Sequence, residues 1–233
     1  MIIISKTYYF SIIDKDMEMK LKQILVLSGI ACLYILVFIF YVLNPFTDAL
    51  EDISRIFALI GLLSLILSSI MAAFTREVYQ VFGKPFKKVH HFIALFGLSL
   101  IVLHPVFLAI SSGKANIFLP DFSSWLAFWK FAGRPAFYLI ILAVLAGFLQ
   151  KHIKKWWRYI HALNYIAVVF GVIHGILVGA NLSSSIGLQI IFIALLVLTT
   201  ASFILKRYNN YMRNKRIKSK QENRSKDEET VSD

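Results

Sequence analysis

Trp156–Gly175, WWRYIHALNYIAVVFGVIHG, is an apolar run of helix length that carries two histidines, His161 and His174, thirteen residues apart. A second such run, Val89–Ile110, carries His90, His91 and His104. Thirteen residues of α-helix rise roughly 20 Å at about 1.5 Å per residue. That is most of a hydrocarbon core about 30 Å thick. Each run therefore places one histidine near one membrane face and one near the other. Two such helices side by side make two histidine pairs stacked across a bilayer, the geometry that clamps two flat, iron-bearing cofactors.

The composition supports a membrane setting. The chain is 58% hydrophobic with a mean hydropathy of +0.69, where a soluble domain is about 45–50% apolar. Its one cysteine, Cys32, lies inside an apolar run, so a disulfide or cysteine-based metal framework within the chain is excluded. The net charge of +12 is a level found in nucleic-acid binders. Here, however, the basic residues fall in clusters between apolar runs, which is the signature of membrane topology and not of nucleic-acid binding.

Six spans follow from the apolar runs. Residues 1–20 are mixed and weakly amphipathic and read as an N-terminal extension, disordered or lying upstream of a start at Met17 or Met19. The first span is about Leu21–Leu43, ended by Asn44-Pro45. It exceeds a signal-peptide core in length and has no small-residue cleavage site after it, so it reads as a retained helix. The others are about Ile53–Phe74, Val89–Ser111, Pro135–Gln150, Trp157–Gly179 and Ile186–Leu205. Together, residues 21–205 form a six-span transmembrane domain, an all-α integral membrane bundle. Residues 206–233 form a basic tail, expected to be disordered beyond Arg216. Trp125 and Trp129, in the long connection Ser112–Ala132, suit an interfacial belt.

Lys and Arg alternate between the connections. One side holds four, four, four and nine, the other one, three and none, or 21 against 4. The positive-inside rule puts both termini in the cytoplasm of a multi-pass cell-membrane protein. His90, His91 and His161 then lie near the cytoplasmic face, and His104 and His174 near the outer face.

Ionisable groups in lipid are costly and mark function. None of the six apolar runs holds an Asp or Glu, which argues against a proton pump or cation transporter. Histidines remain, and neutral imidazole is a good iron ligand. Two axial imidazoles fill both open positions of a haem iron and suit it to electron transfer rather than oxygen or substrate binding. His90 and His104 are fourteen residues apart, about 40° apart around a helix and so on one face. His91 and His104, like His161 and His174, are thirteen apart, or about 140°. His90 is therefore the favoured ligand and His91 its alternate, with a propionate contact as another role for His91. Gly97, seven residues from both His90 and His104, leaves room where two cofactor edges would approach. Lys87, Lys88, Lys155 and Arg158 on the inner side, and Lys114 and Arg134 on the outer, are candidate propionate partners. Each of these residues also has a plainer reading. Intramembrane histidines bond between helices, small residues pack helices closely, and basic residues set topology. His152, in a basic connection, reads as solvated.

HHFIALFGLSLIVLHP and WWRYIHALNYIAVVFGVIHG resemble helices three and five of the ferric reductase-like transmembrane domain family. That family includes NADPH oxidases, ferric-chelate reductases and the membrane haem subunit of the bacterial methionine sulfoxide reductase system. Trp157 to Tyr165 is similar to the last of these in its W-x-x-[LI]-H-x-L-x-Y pattern. The resemblance covers about Arg55–Leu205 and implies two haem b groups between helices three and five. It carries the ligand role to His104, His161, His174 and His90. Oxidases and ferric reductases usually continue into flavin and nucleotide domains, but no Gly-rich dinucleotide fingerprint stands in this sequence. The expected donor is therefore a separate reductase protein, a quinol or a free flavin such as FMN. The expected function is transmembrane electron transfer to an outer-face acceptor. The rivals are a ferric or oxygen reductase in its own right, and a non-redox membrane carrier of metal or haem.

Overall fold

The computed structural model describes the backbone of residues 2–44 and 48–232, and the side chains of residues 17–44 and 48–221. All its elements are helical, with no strand among the described residues. In chain order they are α1 (Ile2–Val42), α2 (Ala49–Met71), α3 (Thr75–Phe82), α4 (Phe86–Ser112), α5 (Trp125–Lys130), α6 (Gly133–Phe148), α7 (Trp157–His161), α8 (Leu163–Val178), α9 (Ala180–Ser184) and α10 (Ile186–Ser232). Short 3-10 turns occupy Ala115–Phe118 and Leu149–Lys151. Six segments are long and apolar enough to cross a membrane: Met17–Val42, Ala49–Met71, Phe86–Ser112, Gly133–Lys151, Trp157–Val178 and Ile186–Gln221. The chain is an all-α bundle of membrane type, and its exposed apolar side chains suit contact with lipid.

The bundle is organised around α2, the span with the largest buried share. Leu62, Leu63 and Ile66 of α2 pack with Val37 of α1, Val168 and Val172 of α8, and Leu188 and Phe192 of α10. Helices in lipid gain little from excluding water from one another, so close approach through small residues does much of the work. Gly61 of α2 and Gly97 of α4 meet in this way. A Cβ at Gly97 would lie 2.8 Å from the Ser64 Cβ and 3.0 Å from the Gly61 carbonyl oxygen. On α6, Ala136, Ala143 and Ala146 are buried, and Ala136 packs with Ile140, Leu65 and Ala167.

The helix ends follow local chemistry. Asp48 caps α2 by accepting from the Leu50 and Glu51 amides, and Ser124 caps α5 by accepting from Ala127. Gly83 and Gly113, with φ of 60° and 65°, end α3 and α4 in the left-handed conformation that glycine takes without strain. The expected turn at Asn44-Pro45 falls partly outside the described residues, since Pro45 is not among them.

Three differences from the sequence reading matter. The basic connection after α2 and the long connection after α4 each contain a short helix, α3 and α5. The uncharged connection at 180–185 holds α9, with Asn181 and Leu182 buried. The composition change at 205/206 is not a break in secondary structure, because α10 continues through it. Lys, Arg and Gln are good helix formers and extend a helix already nucleated by the span.

Candidate functional site

Four of the six histidines are held in one manner. His104 Nδ1 lies 2.8 Å from the Ser54 hydroxyl and 3.0 Å from the Ser54 carbonyl oxygen. His90 Nδ1 lies 2.8 Å from the Ser68 hydroxyl and 3.3 Å from the Ser68 carbonyl oxygen. His161 Nδ1 lies 2.8 Å from the Ala143 carbonyl oxygen, and His174 Nδ1 2.6 Å from that of Lys130.

A carbonyl oxygen has no proton to give. Each hydrogen bond to it requires the proton to sit on Nδ1, so Nε2 keeps its lone pair. No protein hydrogen bond reaches any of these four Nε2 atoms among the described residues. Nor is any buried side-chain nitrogen or oxygen left without a partner among them. The four Nε2 atoms are therefore open to space and not sealed into packing. A metal-ligating imidazole almost always has one nitrogen tied to an oxygen and the other a free base, and His104 and His174 also line a cavity.

The four fall into two pairs. His90 and His161 have ring centroids 6.3 Å apart at an interplanar angle of 75°. That separation is close enough for one metal ion to be bound between the two rings, at metal–imidazole bonds of about 2.0–2.1 Å. His104 and His174 line a single cavity of about 430 Å³, within the range of about 300–1,000 Å³ typical of small-molecule and cofactor sites. Its other walls include Leu62, Ile101, Ile140, Arg55 and Arg134. The chamber is mainly apolar, with two imidazoles, the guanidinium groups of Arg55 and Arg134 and the Glu51 carboxylate in its lining; its apolar walls and Arg134 suit a flat apolar macrocycle bearing carboxylates. His91 is exposed, and its ring centroid is 5.9 Å from that of His90. His152 is exposed at the end of the Leu149–Lys151 turn. No group of three or more His, Cys, Asp or Glu gathers to hold a bare metal ion among the described residues.

His161 and His174 are thirteen residues apart on one apolar span, Trp157–Val178. At Ala162, directly after His161, the backbone keeps right-handed helical angles (φ −67°, ψ −15°) and tightens for one turn, with the Tyr165 N–H donating to the Ala162 carbonyl at 3.1 Å. Just past this turn, Asn164 donates to the Ser69 hydroxyl at 2.8 Å, which ties this end of α8 to α2. By contrast, α4 runs through both His90 and His104, even with Pro105 inside it.

Gly133, at the start of α6, makes room for the His174 ring on α8, whereas Gly147 is not required by the His161 ring. A Cβ at Gly133 would lie 2.6 Å from His174 Cδ2. A Cβ at Gly147 would lie 3.5 Å from His161 Nδ1, an ordinary contact. Gly97 does not clear space for a cofactor edge as the sequence suggested. It faces α2, because seven residues from each histidine is also where α4 crosses closest to Gly61. Gly171 and Gly175 pack against Leu62 and Leu182.

Among the basic candidates, Arg134 lines the cavity and donates to the Leu119 carbonyl at 2.8 Å, with its guanidinium over the Phe131 ring. Lys114 is exposed and does not line the cavity. On the other side, Lys87 and Lys88 are exposed, while Lys155 and Arg158 sit over Trp156 and Trp157. The sequence reading missed Arg55, counting it only toward topology. Arg55 lines the cavity, pairs with Asp52 at 2.8 Å and donates to Asn181 at 2.8 Å. The isolated cation one turn into an apolar span was the signal available.

Comparison of the chain with protein-family models, with curated proteins and with solved structures finds no match.

Proposed function

We propose that this chain is a transmembrane electron-transfer protein that holds two b-type haems, one between His90 and His161 and one between His104 and His174. The observation that carries the reading is the shared hydrogen bonding of these four imidazoles, which leaves each Nε2 a free base. The resemblance of the two histidine helices to the ferric reductase-like family supports the same assignment. So does the separation of the two pairs, which suits a two-step path across a bilayer.

When bound at such sites, haem supplies reversible one-electron iron chemistry. The chain's own residues do the rest. His90 with His161, and His104 with His174, would hold the two groups and leave no vacancy at the metal for oxygen or substrate. The Nδ1 hydrogen bonds fix ring orientation and raise ligand basicity. The largely apolar walls of the His104–His174 cavity would hold the body of the group, and Arg134 would offer positive charge to its carboxylates, while Arg55 is paired with Asp52. The 21-to-4 charge bias supports cytoplasmic termini in the cell membrane, with electrons entering from a cytoplasmic reductase, a flavin or a quinol. Reporter fusions after Lys206 and within Ser112–Ala132 should then report opposite sides; the same side for both would break the six-span topology.

The function is tested in proteoliposomes of the haem-loaded chain enclosing ferricyanide, with a membrane-impermeant reductant outside. Trapped ferricyanide should be consumed faster than in protein-free vesicles. Equal rates would overturn transmembrane transfer, and a chain that stays colourless with ample haem would promote the carrier reading.

A further inference from the structure

We propose that α2 tunes both histidine sites through Ser54 and Ser68, positioning residues that set the orientation and basicity of His104 and His90. The inference rests on the haem reading above. On α2, Ser54 and Ser68 are fourteen residues apart with Gly61 midway; on α4, His90 and His104 are fourteen apart with Gly97 midway. The helices run antiparallel, so Ser54 meets His104 and Ser68 meets His90. The close approach of Gly61 and Gly97 at the centre brings the axes near enough for a short serine side chain to reach an imidazole at both ends.

These serines behave unlike their neighbours. Ser64 and Ser69 donate back along α2 to the Ile60 and Leu65 carbonyls, as serines buried in a helix ordinarily do. Ser54 and Ser68 make no such bond among the described residues. Both are buried, at 1% and 2% exposure, with their hydroxyls turned to histidine. Ser54 gives its one hydroxyl proton to the His104 carbonyl at 2.9 Å. Toward His104 Nδ1 it can then only accept, which strengthens the tautomer that leaves Nε2 free. His161 and His174 have main-chain acceptors only, so side-chain control falls on the α4 ligand of each pair.

An acceptor on Nδ1–H puts electron density into the ring and makes the imidazole a stronger donor to the oxidised metal. Removing the hydroxyl should raise the midpoint potential of that one haem. The test is spectroelectrochemical titration of the purified holoprotein, with haem content measured first. Ser54→Ala should raise the potential of the His104–His174 haem and leave the other in place. Ser68→Ala should do the converse, and serves if Ser54→Ala fails to accumulate. Ser54→Thr and Ser68→Thr keep the hydroxyl and should restore the wild-type potentials. Two unmoved potentials, or both moving together in either variant, would overturn the assignment while leaving the haem reading intact. A wild-type protein that binds no haem would overturn both.

Discussion

The two helices that carry the histidines solve one problem in different ways. α4 is regular through both of its histidines, and its rings are met by serines from α2. The α7–α8 span tightens for one turn just after its first histidine, and its rings are met by main-chain carbonyls of α6 and of Lys130 at the end of α5. A continuous helix with ligands fourteen residues apart presents both on one face, so a single partner helix can serve both. Two histidines thirteen residues apart lie about 140° apart around a helix, so no single partner helix serves both, and they take their hydrogen bonds from carbonyls of two different elements. The difference locates adjustability: side-chain control lies on the α2–α4 half, while steric control lies on the α6–α8 half, where Gly133 bounds the His174 ring.

The largest expected effect tests whether the two halves cooperate in pairs. His104→Ala and His174→Ala should each abolish the same low-spin haem signal, and the double variant should add little, because both act on one site. His90→Ala and His161→Ala should abolish the other signal. His91→Ala should leave both. If His104→Ala and His161→Ala removed the same haem, the pairing across the halves would be wrong.

A smaller effect separates the steric half from within. Gly133→Ala forces a Cβ to 2.6 Å from the His174 ring, and overpacking of this kind costs about 1–3 kcal/mol. The haem held by His104 and His174 should lose occupancy, measured as the ratio of the two haem signals. Gly147→Ala meets only ordinary contact at 3.5 Å from His161 Nδ1 and should leave that ratio unchanged. Equal effects from both substitutions would show that ring clearance on α6 does not distinguish the sites.

The smallest effect concerns the tight turn after His161. Asn164→Leu removes the bond to Ser69, and hydrogen bonds between membrane helices average about 0.6 kcal/mol. Thermal loss of the His90–His161 signal should come slightly earlier, with the other signal unaffected. A uniform change in both would mean that Asn164 supports the bundle at large and not this end of α8.

What the sequence made legible follows the same division. The six spans were readable because hydrophobic length in lipid tolerates little ambiguity. The fourteen-residue spacing of His90 and His104 was readable because α4 is regular. The acceptors on α2 carried the same spacing, with Ser54 and Ser68 flanking Gly61, but isolated serines in an apolar run attract no attention unless matched to a partner helix. The carbonyls of Ala143 and Lys130 could not be read at all, since every residue has one. The tight turn at Ala162 has no proline or glycine to announce it. Gly97 was assigned to the wrong neighbour because rotation on one helix does not say which helix lies opposite. Arg55 was visible but was absorbed into a charge count.

The central claim is that these four histidines make two haem sites. It is tested most directly by haem quantification together with a reduced-minus-oxidised spectrum of the purified chain expressed with ample haem. The account predicts two low-spin b-type haems per chain. A single haem would mean that only one pair is a site, and a chain with none would contradict the account outright.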